Sequence, residues 1–198
     1  MAGQNERSTS RSVYIHADES CLGIQYTDRD SPGGAAGLLE YWHKDAWIRR
    51  DFWLSEPATT NNRMAIRGAV VGLNALKHPC SVVFVSDSQY LVKGAGEWIH
   101  GWRRSGWKRK AGALENAELW QELDVAMKRH RIEWKWVRGH AGHPRNEYAN
   151  DLAIRAAREQ ADSGGVVASG FEQWLKEQRE TYGRYKDFNE RAGPPLRD

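Results

Sequence analysis

Alternating apolar and polar positions divide the first half of the chain into strands. The stretch VYIHADESCLG, residues 13–23, predicts a strand that ends in two adjacent acids, Asp18 and Glu19. The stretches AAGLLEYW and AWIRRDFWLSE lie on either side of the polar HKD and predict a hairpin. The apolar run CSVVFVS and the alternating RIEWKW predict two later strands. The pattern therefore predicts a three-strand meander followed by two separate strands.

Helical periodicity follows the meander and separates the remaining strands. The segments NNRMAIRGAVVGLNALKH, ENAELWQELDVAMKRH and HPRNEYANDLAIRAAREQA place apolar residues three and four positions apart. A meander followed by alternating helices and strands predicts an α/β fold, with a mixed sheet covered by helices. In such sheets, functional sites form at the carboxyl ends of the parallel strands, and Asp18 and Asp87 both stand at the ends of predicted strands.

Composition narrows the class of protein only modestly. The 198 residues are enough for one domain with a substantial core, and the net charge of +3 is too small to indicate a polyanionic partner by itself. Cys21 and Cys80 predict reduced thiols. Residues 1–12 lack the apolar run of a signal peptide and predict a disordered lead. We therefore expect a monomeric, cytoplasmic protein with no membrane partner.

Two aspartates at strand ends suggest a site for a divalent metal. Carboxylate oxygens are hard ligands that suit Mg²⁺ or Mn²⁺, and such ions assist phosphodiester hydrolysis. An aspartate after a strand also commonly caps the next helix. On spacing alone, capping is the commoner role for Asp18 and Asp87.

Six short motifs add information that spacing lacks. DESCLG, TTNNRM, SDSQY, WIHGWRRSGWK, LWQELD and WVRGHAGHPRNE occur in this order. Together they closely resemble the bacterial type 1 ribonuclease H family, from about Val13 to Glu159. The resemblance implies a ribonuclease H-like domain over residues 13–160, with a five-stranded mixed sheet and helices on both faces. It also implies cleavage of the RNA strand of RNA/DNA hybrids by two Mg²⁺ ions held by four carboxylates.

The resemblance assigns only two of those four carboxylates. The first is Asp18 and the third is Asp87, whereas Ala65 stands at the second position and Asn150 at the fourth. The negative charges of two acids and a phosphate cannot balance the four positive charges of two divalent ions. We therefore expect a weakened site that holds Mg²⁺ or Mn²⁺, with one ion as an alternative to two. In addition, His140 resembles the family's loop histidine, which assists proton transfer or product release.

Nearby acids are candidates to replace the missing ligands. Glu19 stands where the family has glycine, but a regular strand would point it away from Asp18 unless the strand bulges. Asp151 follows Asn150 by one residue, about 100° around a helix, and is better interpreted as a solvated acid. The alternatives for Glu19, a ligand or an acid on the other face, remain open at this stage.

Several residues resemble the substrate-binding positions of the family. One group lies near the start of the first helix and at the SDSQY motif: Thr60, Asn61, Asn62 and Gln89. A second group forms a basic loop with aromatic residues: Trp102, Arg103, Arg104, Trp107, Lys108, Arg109 and Lys110. Such a loop would contact the DNA strand through its phosphates, whereas the alternative is a solvated loop over core tryptophans. We expect the core to contain Trp98, Trp120, Trp134 and Trp136.

The C-terminal residues 161–198 lie outside the resemblance. DSGGVVASG predicts a linker, and the following segment predicts an amphipathic helix. Its stripe is expected to pack on the domain and consists of Phe171, Trp174, Leu175, Gln178, Tyr182 and Tyr185. A helix that binds a protein partner is the alternative.

For the whole chain, the hypotheses are a ribonuclease H with an altered metal site, or a non-catalytic binder of RNA/DNA hybrid or double-stranded RNA. Deliberate inactivation would also explain Ala65 and Asn150.

Overall fold

A computed structural model describes residues 12–23, 31–109, 112–139 and 141–194. The predicted lead up to residue 11, Lys110 and His140 lie outside these ranges. Six strands form one sheet: β1 (Ser12–Cys21), β2 (Ser31–His43), β3 (Ala46–Thr59), β4 (Ser81–Ser86), β5 (Arg131–Trp136) and β6 (Val167–Ala168).

The strand order is β5-β4-β1-β2-β3-β6, which confirms the predicted mixed sheet. The meander β1–β2–β3 is antiparallel, and β4 and β5 run parallel to β1. The sixth strand was not predicted, because it falls in the segment interpreted as a linker. Its residues Val167 and Ala168 pair with Asp51 and Arg50, so this segment covers the otherwise open backbone edge of β3.

A two-residue turn closes the predicted hairpin. Lys44 and Asp45 have φ angles of 48° and 60°, and His43 pairs with Ala46 across the turn. Two successive left-handed residues match the twist of the flanking strands. The second strand begins at Ser31, four residues before the predicted stretch AAGLLEYW, and residues 24–30 lie outside the structure's described ranges.

Helices cover both faces of the sheet. The α-helices are α1 (Asn61–Asn74), α2 (Gln89–Lys93), α3 (Ile99–Arg104), α4 (Ala117–Met127), α5 (Pro144–Glu159) and α6 (Phe171–Tyr182), and a π-helical turn, Gly94–Trp98, joins α2 to α3. α1 and α4 enclose the larger core on one face, and α5 packs on the other face with α6 beside it. Within the described ranges, no helix combines the length and apolar character needed to cross a membrane.

The tryptophan predictions are partly right. Trp120 is fully buried and Trp134 packs on Phe84 with ring centroids 4.7 Å apart. Trp98 and Trp136 were also expected in the core, but they are 40% and 47% exposed. Trp136 is exposed because β5 is the edge strand, and Trp98 because it lies in the outer π-helical turn.

The C-terminal helix packs on the domain, as expected. Phe171 and Leu175 are buried against Leu38 and Leu152, in a second, smaller core. Tyr182 is the exception in the predicted stripe, since it is 62% exposed at the end of α6. The chain turns at Gly183, and other aromatic residues return to cover the helix: the ring of Tyr185 stacks 5.7 Å from that of Trp174.

The strand β2 approaches α5 closely at Gly34. A Cβ atom there would lie 2.2 Å from the carbonyl oxygen of Ala153, which is backbone and cannot rotate away. We expect Gly34→Ala to lower the free energy of unfolding by more than about 2 kcal/mol, because α5 must move off the sheet. The matched change Gly101→Ala, in α3 with no atom within 4 Å, should instead be neutral or stabilise by up to about 1 kcal/mol. Urea unfolding measures both, and equal effects would contradict this account of Gly34.

Candidate active site

The candidate site lies where β1 runs past the end of β4. The last residue of β1 that pairs with β4 is His16, opposite Val85, but β1 continues to Cys21. Asp18 and Glu19 therefore lie along an edge that β4 leaves open, and Asp87 follows the last residue of β4. One carboxylate oxygen from each acid lies within 4.8 Å of the others.

Glu19 joins this group without a bulge. Asp18, Glu19 and Ser20 pair in sequence with Ala36, Ala35 and Gly34 of β2, so β1 is regular there. The expectation that a regular strand would carry Glu19 away from Asp18 is therefore wrong. The alternation of side chains along β1 assigns Asp18 and Glu19 to opposite faces of the sheet. Beyond His16, however, β1 has no neighbouring strand on the β4 side, so both carboxylates can extend past that edge and approach each other. The N–H of Glu19 also donates to Oδ1 of Asp18 (2.7 Å), which draws that carboxylate along the backbone.

Neighbouring groups hold the three acids in place. Asn146 Nδ2, in the first turn of α5, donates to Oδ2 of Asp18 at 2.8 Å, and the Ser88 side chain is hydrogen-bonded to Glu19. The loop after β5 passes so close to Asp87 that a Cβ on Gly139 would lie 2.3 Å from its Oδ2. Sequence reasoning missed Asn146, although its spacing of four residues from Asn150 on one helix face was a usable signal.

Burial and repulsion from neighbouring acids raise the pKa values of Asp18 and Glu19. Burial, with the nearby Asp87 charge, raises the pKa of Asp18 to about 8. Burial, followed by the charges of Asp18 and Asp87, raises the pKa of Glu19 well above its ordinary value. The three groups therefore resist being ionised together unless a cation compensates them. Three converging oxygen donors of this kind fit Mg²⁺ or Mn²⁺.

The other residues predicted at the site have different positions. Ala65 is buried in the same core cluster as Ala17 and Cys21, which alternate with Glu19 on β1. Asn150 is half-buried and lies on α5 between Asn146, which contacts Asp18, and Ala153, which lies over Gly34. Asn150 therefore shares the face of α5 that lies against β1 and β2.

Asp151 does not join the acids. It is exposed, and its Oδ2 accepts a hydrogen bond from Trp174 Nε1 at 2.8 Å. The interpretation of Asp151 as an exposed helix acid therefore agrees with its placement, and the C-terminal segment supplies its partner. His140 lies outside the described residues, so its predicted role stays a prediction.

The first group of predicted substrate contacts surrounds the site on one side. Thr60 caps α1, with its Oγ1 accepting from the N–H of Arg63 at 3.4 Å. Gln89 is exposed at the start of α2, two residues after Asp87. Asn61 and Asn62 are half-buried, and Oδ1 of Asn61 has no hydrogen-bond partner among the residues that the structure describes. Of these polar groups, Gln89 is exposed, whereas Oδ1 of Asn61 is buried.

In the basic loop, some residues pack on the core or pair with it, and other residues are exposed cations. Trp102 packs 5.1 Å from Trp120, Trp107 is half-buried against the same core, and Arg103 pairs with the buried Asp124. By contrast, three exposed cations make no ion pair within the described ranges: Arg104, Lys108 and Arg109. The tryptophans thus hold the loop in place, and their predicted contact with nucleic acid stays a prediction.

Comparisons with known proteins agree with this architecture. The sequence model for RNase H matches residues 10–158. The chain is 45% identical to ribonuclease H of Pseudomonas putida (strain W619) over 151 residues, which is 76% of this chain and 96% of the relative. It is 44% identical to ribonuclease H of Shewanella halifaxensis (strain HAW-EB4) over 160 residues, 79% of this chain and 94% of the relative. The chain therefore belongs to the ribonuclease H family.

Solved structures extend the comparison beyond the family domain. LC9-RNase H1, described as a type 1 RNase H with the type 2 active-site motif, is 44% identical with a TM-score of 0.82. The match covers 95% of this chain and 94% of that one, so it includes most of the C-terminal segment. The RNase H domain of PFV shares the fold, with a TM-score of 0.63 at 18% identity, over 76% of this chain and 95% of that one.

Repulsion at the site predicts a pH-dependent stability in the metal-free protein. An acid with a raised pKa binds protons more tightly when folded, so stability falls as pH rises from its ordinary value toward the raised one. For Asp18 that interval runs from 3.8 to about 8. At pH 8, Glu19→Gln should therefore raise the unfolding temperature, by on the order of 2–4 °C for each kcal/mol of repulsion relieved.

The difference in unfolding temperature between Glu19→Gln and the wild type should decrease as the pH is lowered to 4.5, the ordinary pKa of a glutamate. Thermal unfolding followed by circular dichroism in EDTA measures it. Glu133→Gln is the control, since Glu133 is 58% exposed beside Lys135 on β5. A Glu19→Gln protein with the wild-type pH profile would contradict the repulsion.

Proposed function

We propose that this chain is a metal-dependent ribonuclease H that hydrolyses the RNA strand of RNA/DNA hybrids. We further propose that Glu19 supplies the carboxylate that position 65 lacks. The convergence of Asp18, Glu19 and Asp87 at the open edge of β1 carries the proposal. Membership of the ribonuclease H family supports the reaction and the substrate class.

The position of Ala65 supports Glu19 as the replacement. Ala65, on α1, and the residues alternating with Glu19 belong to one core cluster, so an acid at either position approaches the site from the same face. A glutamate at 65 and a glutamate at 19 would then serve the same space. The description of LC9-RNase H1 as a type 1 enzyme with a type 2 motif supports a rearranged set of acids on this fold.

The metal would be held by Asp18, Glu19 and Asp87, with the amide oxygen of Asn150 as a fourth, uncharged donor. When bound, divalent ions would generate the attacking hydroxide and neutralise charge on the scissile phosphate. Three ionised acids and one phosphate carry four negative charges, which equals the charge of two divalent ions. The charge count therefore supports two ions, rather than the single ion that Asp18 and Asp87 alone would favour.

The chain's own residues act on the geometry of this site. Asn146 and the N–H of Glu19 each donate to one oxygen of Asp18, which leaves the remaining lone pairs of that carboxylate for a cation. Ser88 does the same for Glu19. The glycine at 139 lets the chain close over Asp87 without displacing its carboxylate.

The surface around the site suits a hybrid duplex. Arg104, Lys108 and Arg109 present exposed positive charge on an anchored loop, as phosphate contacts require. Gln89 is exposed two residues after Asp87 and offers a polar contact beside the acids. Its side-chain amide suits a 2′-hydroxyl, which distinguishes RNA from DNA in a wide minor groove.

Moving the acid tests the proposal directly. We expect Glu19→Gln to lower the rate of hybrid cleavage by about 100-fold or more, because a ligand loses its charge. The double variant Glu19→Gly with Ala65→Glu should recover at least about 10-fold of that loss, since the new acid enters from the same face. Single-turnover cleavage of a labelled hybrid with Mg²⁺ or Mn²⁺ measures both.

Two controls define what would contradict this result. Asp151→Asn changes an exposed acid of α5 and should keep the rate within about twofold of the wild type. Glu19→Gln at the wild-type rate would reject Glu19 as a ligand. A wild-type protein that cleaves no faster than Asp18→Asn, but still binds hybrid, would instead support the non-catalytic binder.

The free cations of the basic loop should set the salt dependence of binding. We expect Arg104→Gln and Lys108→Gln each to weaken hybrid binding and to reduce the slope of log affinity against log salt by about 0.7–0.9. The loss should be similar for hybrids of different sequence, because phosphates carry no sequence information. Fluorescence anisotropy in EDTA measures binding without cleavage. Lys176→Gln, an exposed lysine of α6, is the control, and an equal loss there would exclude a specific role for the loop.

A further inference from the structure

Three consecutive residues at the start of α5, Arg145, Asn146 and Glu147, contact different parts of the protein. Asn146 donates to Oδ2 of Asp18, as described above. Its neighbours, Arg145 and Glu147, point elsewhere, and both are held by the C-terminal segment. This segment lies beyond residue 158, where the match to the family sequence model ends.

Glu147 receives two C-terminal donors on one oxygen. The hydroxyl of Tyr185 donates to Oε2 of Glu147 at 2.5 Å, and the guanidinium of Arg184 donates to the same oxygen. Its other oxygen, Oε1, accepts from the N–H of Gly142 at 2.9 Å. Although burial raises it, these hydrogen bonds hold the pKa of Glu147 below its ordinary value, so it is ionised at neutral pH. Glu147 therefore connects the C-terminal segment to the turn that enters α5.

Arg145 is held in a similar way. Its guanidinium pairs with the fully buried Glu40 of β2 and lies over the rings of Phe188 and Trp47, at 4.9 Å and 5.5 Å. The other oxygen of Glu40 is held at 2.7 Å by Arg49. Arg49 in turn donates to the Glu172 carboxylate and to the Glu190 carbonyl, each at 2.7 Å, and both acceptors belong to the C-terminal segment.

The first turn of α5 needs such support. The first turn of a helix has backbone N–H groups with no partner inside the helix, and a side-chain cap usually satisfies one of them. At the cap position of α5, His143 makes no side-chain cap hydrogen bond. The turn that carries Asn146 is therefore held by the side chains on either side of it.

We propose that the C-terminal segment, through Tyr185 and Glu147, is a positioning element for Asn146 and hence for the Asp18 carboxylate. We make this inference on the basis of the proposed function, because only a metal-binding role makes the orientation of Asp18 matter for activity. The side-chain hydrogen bonds of Glu147 run to Gly142, Arg184 and Tyr185 rather than to the three acids, so we assign Tyr185 and Glu147 as positioning residues rather than catalytic ones.

Tyr185→Phe tests the proposal with little change in packing. It removes the hydroxyl but keeps the ring that stacks on Trp174. Tyr182→Phe is the matched control, because Tyr182 lies in the same segment and is 62% exposed. In metal-free, ¹⁵N-labelled protein, Tyr185→Phe should shift the side-chain amide signals of Asn146 and speed their exchange with water. Tyr182→Phe should leave both unchanged.

Metal dependence supplies the second readout. Tyr185→Phe should raise the Mn²⁺ concentration for half-maximal binding, measured by calorimetry, and for half-maximal cleavage by about 3- to 10-fold, less than a direct partner of a ligand would. The affinity for hybrid in EDTA should not change. The double variant Tyr185→Phe with Glu147→Gln should be no worse than Glu147→Gln alone, since both act through one contact.

These outcomes separate failure of the inference from failure of the proposed function. If Tyr185→Phe gives the same Asn146 amide signals and the same Mn²⁺ binding as Tyr182→Phe, the positioning role of Tyr185 is overturned. Additive losses in the double variant would also overturn it, because Tyr185 would then act by another route. If the wild type cleaves no hybrid, the proposed function fails, but the amide signals and calorimetry still decide the positioning role.

Discussion

Repulsion among three acids in one small space is the constraint on which this site depends. Asp18 and Glu19 are each harder to ionise than an isolated acid, because burial and the neighbouring charges, including that of Asp87, both favour the protonated form. A fold that gathers them must therefore hold them against their own repulsion. It does so with donors aimed at Asp18 and Glu19: Asn146 and a backbone N–H for the first, and Ser88 for the second.

The sheet supplies the space for these acids through unequal strand lengths. β1 continues past its last pair with β4, so a short stretch of β1 has no neighbour on that side. At such an edge, the face on which a side chain starts no longer decides where its end group lies. Glu19 therefore converges with Asp18 and Asp87 without any distortion of the strand, and this is the observation on which its proposed compensation for Ala65 rests.

The C-terminal segment belongs to this arrangement rather than to a separate module. Residues 167–168 extend the sheet, α6 buries Phe171 and Leu175, and the following residues reach Arg145 and Glu147 on either side of Asn146. Its aromatic residues thus bury apolar surface and its polar groups hold the start of α5. Within the predicted stripe, Phe171, Leu175 and Gln178 are buried, whereas Tyr182 is exposed and Tyr185 lies beyond the end of α6.

Sequence patterns by themselves determined the order of strands and helices, because burial of one face imposes a period that is visible in the residues. They also predicted Asp87 directly after a strand, which is confirmed, whereas Asp18 lies within β1 and not at its end. The resemblance assigned both acids to one site. Only the tertiary structure decided the positions of Glu19 and Asn146 beside Asp18, since alternation predicts a face but not the reach of a side chain at an unpaired edge. The two-residue strand β6 was likewise invisible, because two residues carry no period. The position of the Glu19 carboxylate depends on β1 having no neighbouring strand at that point, and this is a property of the assembled sheet.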